Sequence, residues 1–73
     1  MPSNIETAEH HLNEIKHLHD NAGSIDQALF HRAEMDKCHR RSSRNHGNPG
    51  EQITILAKVE EADRLIEEMR KGD

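Results

Sequence analysis

Aromatic side chains are almost missing from this chain. Phe30 is the only one, and there is no Trp or Tyr. A core must therefore be assembled from Leu, Ile, Val, Ala and Met, which each bury less area than a ring. The same shortage removes the usual platform for stacking nucleic-acid bases. Cys38 is the sole cysteine, which excludes an intramolecular disulfide and fits a reducing compartment. No apolar run approaches the ~20 residues needed to span a bilayer. The first residues, MPSNIETAEHHLNE, have neither the basic nor the apolar region of a secretory signal, so a cytoplasmic location is expected. No Gly-rich phosphate loop and no Ser/His/Asp constellation is visible. Cys38 and His39 are neighbours, and neighbouring helical side chains do not face each other. With so little material for a pocket, an enzyme is not expected.

Charge is plentiful but uneven. The net charge is −4, and charged residues make up 33% of the chain against 32% hydrophobic, a balance near the border between folding and disorder. Lys37, Arg40, Arg41 and Arg44 fall in a stretch without any acid, while acids dominate on either side. Full protonation of the seven histidines would carry the net charge from −4 to +3, so behaviour between about pH 5 and 7 should be charge-sensitive.

Capping signals divide the chain into three helices. Asn48 reads as an N-cap, Pro49 as the first helical residue and Glu51 as the third. Ile55, Val59, Ala62, Ile66 and Met69 then mark one face, with Leu56 and Leu65 at its borders. This third helix is expected over about residues 48–71. Ser3 with Glu6 repeats the capping spacing and opens a first helix over about 3–22. Ile5, Ala8, Leu12, Ile15, His19 and Ala22 form its stripe, and Gly23 is the expected C′ stop. Ser24 with Gln27 opens a second helix over about 24–46. Its apolar face starts well with Ile25, Ala28 and Leu29. Further on, Arg32 and Asp36 fall where the stripe should continue, and Phe30, Ala33, Met35 and Cys38 scatter. Either Arg32 and Asp36 pair at i,i+4 beside the core, the commoner case, or the helix touches neighbours on several sides. Joints this short favour antiparallel neighbours. The expected fold is a single all-α domain: three amphipathic helices in a small antiparallel bundle, with a helical hairpin completed by a partner as the alternative.

Three candidate sites follow. His31, Glu34 and Cys38 lie at i, i+3 and i+7 and could offer metal ligands from one helix face, though zinc wants a closed set that one helix rarely supplies. His10, Glu14 and His17 make a similar line on the first helix, on the side away from its apolar stripe. No cofactor beyond such a metal ion is expected. Lys37, Arg40, Arg41 and Arg44, placed near the N-terminus of the third helix at Asn48, could form a phosphate or nucleotide site. Nucleic acid fits that corner less well, because the rest of the chain is acidic. Finally, so small a chain buries only about 60% of its extended surface. A dimer or higher homo-oligomer is therefore expected, using Ile55, Leu56, Val59, Ala62, Leu65, Ile66, Met69 and Phe30 as interface residues. The leading functional expectation is a small regulatory or adaptor-like protein that acts by protein–protein interaction.

Overall fold

The computed structural model describes residues 3–44 and 49–71. They form three α-helices: α1 over Asn4–Asp20, α2 over Ile25–Arg44 and α3 over Pro49–Lys71. Every helix packs against the other two, and no strand occurs among the described residues. The expected all-α three-helix bundle is the architecture found.

The caps explain where the first two helices begin. Ser3 sits in extended backbone and its hydroxyl accepts the Glu6 N–H at 3.1 Å, satisfying one of the donors that a helix start leaves free. Ser24 does the same for the Gln27 N–H at 3.4 Å. Asn48, the expected cap of α3, lies outside the described residues, as do Asn45 and His46 at the expected end of α2.

The end of α1 corrects the sequence reading. The helix stops at Asp20, two residues early, and Asn21 caps it. Ala22 takes the left-handed backbone conformation, φ 53°, that was expected at Gly23. The Gly23 N–H then reaches back to the Leu18 carbonyl at 2.7 Å, the six-to-one bond of a Schellman stop. Ala22 is thus exposed and outside the helix, not on its stripe. Gly23 is needed for another reason. A Cβ there would lie 2.5 Å from Leu18 Cδ2 and 3.2 Å from Leu18 Cα, so any side chain at this position would force Leu18 to shift.

Polar pairs report the direction of each helix. Asn4 meets Glu51 and His19 meets Glu68, so α1 and α3 run parallel. Ser42 meets Glu51 and Arg32 meets Asp63, so α2 runs against α3. The turn between α1 and α2 therefore reverses the chain.

The core is a seam of small and branched side chains. Ala8, Leu12 and Ile15 come from α1, and Ile55, Val59, Ala62 and Ile66 from α3. Both stripes match their expected faces. The α2 face does not. Its buried residues are Ala28, Met35, Cys38 and Ser42, and half-buried His31 completes the run at spacings of three, four, three and four. Leu29, expected in the stripe, is exposed. Packing against α1 and α3 turns Ala28, Met35, Cys38 and Ser42 inward and leaves Leu29 and Phe30 outside. Arg32 and Asp36 pair on the flank of that face at 3.8 Å. Arg32 also donates to both Asp63 oxygens, at 2.9 and 3.4 Å, and the hydrogen bond to Asp63 is the main reason its guanidinium is held still more firmly in the charged form.

Candidate functional site

Polar side chains enter the contact between α1 and α2 at one place above all. His11 on α1 and His31 on α2 meet with their Nδ1 atoms 2.9 Å apart. The packing puts them there. His11 precedes buried Leu12, and His31 occupies a core-facing position between Ala28 and Met35. The rings lie 5.1 Å apart, centroid to centroid, at 40°. His10 contacts His11 edge-on at 5.4 Å, and Phe30 contacts His31 the same way at 5.4 Å. Two neutral imidazoles at this distance share one hydrogen: one Nδ1–H donates and the other Nδ1 accepts.

Charge around the pair is mixed. Burial holds the His11 pKa below its ordinary value of 6.5, and repulsion from His31 and then His10 adds to that. Glu34 and Glu14 act on His11 in the opposite direction, with less effect. Each carboxylate stands three residues after a histidine of the pair, Glu14 after His11 and Glu34 after His31. The two helices thus present the same His-x-x-Glu spacing toward one seam. Because they run antiparallel, the carboxylates fall on opposite sides of the imidazoles along the bundle axis.

The residues singled out from sequence are distributed differently. His31 joins the seam, but Cys38 is buried and Glu34 accepts from Lys37 Nζ at 3.2 Å. Among the described residues no group of three or more His, Cys, Asp or Glu side chains is gathered to hold a metal ion. Burial pushes the Cys38 thiol pKa up, Arg41 partly opposing, so the group stays protonated and inert. On α1, His10 and His17 are exposed as expected, while Glu14 is half-buried. At the basic corner, Lys37 pairs with Glu34, and Arg40 pairs with Asp36 at 3.0 Å. Arg41 is exposed. The side chain of Arg44, and Asn48 altogether, lie outside the described residues.

Four of the expected interface residues, Ile55, Val59, Ala62 and Ile66, are buried within the chain's own core, and Leu65 and Met69 pack partly against it. Leu56 and Phe30 stand out from it.

Sequence reasoning passed over three residues that join elements. His11 was one, although its spacing to Glu14 repeats at His31 and Glu34. Ser42 and Asn4 were the others. Both donate to Glu51 Oε1, at 2.6 and 3.3 Å, so one carboxylate oxygen ties all three helices at that end. The opposite end is more open. A cleft there is lined by His19, Gly23, Ser24, Asp26, Glu68 and Met69, and His19 Nε2 faces Glu68 Oε2 at 2.9 Å.

No protein family, curated protein or solved structure matches this chain. Among the described residues no helix is long and apolar enough to cross a membrane.

Proposed function

We propose that this chain is a non-catalytic helical binding protein that works by protein–protein contact, with self-association as its first such contact. The observation that carries the reading is where the large apolar side chains lie. The only aromatic, Phe30, is 59% exposed, and Leu29, Ile53 and Leu56 are 38%, 69% and 45% exposed. They belong to α2 and α3, while the buried face of α2 consists of Ala28, Met35, Cys38 and Ser42. A chain short of apolar volume that leaves such side chains in water gains about 25 cal/mol per Å² by covering them. Covering by a second copy is the economical route. A cytoplasmic setting suits the single buried thiol.

Sedimentation equilibrium tests the reading. A dimer or higher oligomer is expected at micromolar concentration, with a melting temperature that rises with protein concentration. The double substitution Phe30→Ser and Leu56→Ser should yield a monomer with helicity retained. A wild-type chain that is monomeric at that concentration and melts independently of it would overturn the proposal.

A further inference from the structure

We propose that a second copy of this chain docks on the face shared by α2 and α3, antiparallel to the first, about a two-fold axis passing beside Ala33. The inference rests on the reading that the chain self-associates, and it names the surface and the arrangement. Helical spacing defines the face. Asp26, Leu29, Ala33, Asp36 and Arg40 recur at intervals of three and four on α2, on the side where Arg32 meets Asp63 of α3. Ile53, Leu56, Glu60, Asp63 and Glu67 recur at the same intervals on α3. Such positions share one side of a helix. All of them except Asp36 are exposed. Phe30 lies apart from this face, because it contacts His31, which meets His11 of α1.

The cross-helix pairs set the levels along this face. Arg32 stands level with Asp63, and Ser42 with Glu51. Leu29 is then about one turn from Ala33 toward the start of α2, and Leu56 about one turn from it the other way. Leu29 and Leu56 also share their helix sides with Arg32 and Asp63, so they flank the groove between α2 and α3. A copy reversed about Ala33 brings its Leu29 beside Leu56, and symmetry repeats the contact. Ala33 and Ala57 are small and exposed, so the facing helices can approach closely. A parallel copy, related by an axis along the bundle, would set Leu29 against Glu67 instead.

Charge favours the same direction. The reversal carries Arg40, seven residues after Ala33, onto Asp26, seven before it, and Glu60 onto Arg64. Arg40 reaches Asp36 with one nitrogen at 3.0 Å and its side chain is 72% exposed, so further guanidinium donors face outward. Asp26, Glu60 and Arg64 are exposed and form no ion pair among the described residues. Each of the two new pairs occurs twice in the symmetric dimer. Complementary charges around an apolar centre fix the register and disfavour the parallel alternative.

Cysteine cross-linking of the full chain, read beside sedimentation equilibrium, is the test. The native Cys38 is buried, so a new surface thiol reports its own position. Ala33→Cys should give a disulfide-linked dimer under mild oxidation, because the two-fold axis brings this position of each copy together. Phe30→Cys should run as a monomer on a denaturing gel. Charge provides the second arm. Glu60→Arg sets like charges across the interface and should weaken dimerisation at least about tenfold. Adding Arg64→Glu reverses both members of the pair and should recover the wild-type affinity to within about threefold. Circular dichroism would confirm that each variant is helical. A dimer that cross-links through Phe30→Cys and not Ala33→Cys, or a Glu60→Arg chain that dimerises like the wild type, would overturn this face and leave self-association standing. A monomeric wild type would overturn both.

Discussion

Two polar junctions interrupt the core stripe of α2, and they differ in kind. At one end Ser42 is fully buried and gives its hydroxyl hydrogen to Glu51 Oε1 at 2.6 Å, while Asn4 reaches the same oxygen from α1. Near the middle His31 is half-buried and meets His11 at 2.9 Å. Both junctions solve one problem: a polar side chain inside a helix contact must have a partner. No buried polar side-chain atom among the described residues is left without one. The solutions behave differently when conditions change. The Ser42–Glu51 bond joins a neutral donor to a carboxylate and persists through neutral pH. The histidine bond needs one ring to keep an unprotonated nitrogen as acceptor, and a pair of imidazolium rings offers none. A small bundle can thus hold one joint fixed and leave another responsive.

Substitutions at the fixed joint should have the largest effect. Ser42→Val removes the donor to Glu51 and adds a methyl group at a fully buried position. Losing a hydrogen bond to the half-buried Glu51 carboxylate costs about 1.5–3 kcal/mol, and the extra bulk adds to that. Urea denaturation should show the loss at pH 7 and pH 6 alike. The turn between α1 and α2 has no such clamp, and there a gain is expected. Ala22 pays for its positive φ, so Ala22→Gly should raise stability by roughly 0.5–1 kcal/mol after the greater freedom of unfolded glycine is offset. Gly23→Ala should lower it, because its Cβ would collide with Leu18. A pair of thermal melts checks both signs. The smallest effect belongs to Asn4→Ala. Its bond to Glu51 is long, at 3.3 Å, and about 0.5 kcal/mol is the expected loss. A loss at Asn4 as large as that at Ser42 would mean that Glu51 leans equally on both helices.

The contrast also marks what the sequence made legible. The α1 and α3 stripes were readable because Leu, Ile and Val recur there at helical spacing, and burial follows that spacing directly. The caps at Ser3 and Ser24 were readable because each serves its own first turn. The α2 face was not. Its inward positions hold Ala28, His31, Met35, Cys38 and Ser42, and a hydrophobic pattern does not count His and Ser as core. Their inward placement is a consequence of tertiary packing, decided by the two helices that α2 meets. Glu51 shows the same limit. Its spacing from Asn48 suggested a local cap, while in the fold its carboxylate serves Ser42 and Asn4. His31 entered the candidate list on a pattern within one helix, and its actual partner, His11, lies on another. The early stop of α1 was hidden because Ala22 is an unusual residue for a left-handed turn.

The pH dependence of stability tests the seam most directly. The folded chain keeps His11 less protonated than the unfolded chain does, because its pKa is depressed from 6.5. Between that depressed value and 6.5 the unfolded state binds more protons, so stability rises with pH there. The contribution is fully present above 6.5 and is lost as pH falls through the folded pKa. Urea midpoints from pH 8 down to pH 5 should therefore decline below about 6.5 in the wild type. His11→Asn should flatten that decline, while Asn4→Ala should leave its shape unchanged. A wild-type midpoint that stays level below pH 6.5, or a decline that His11→Asn leaves intact, would contradict the account.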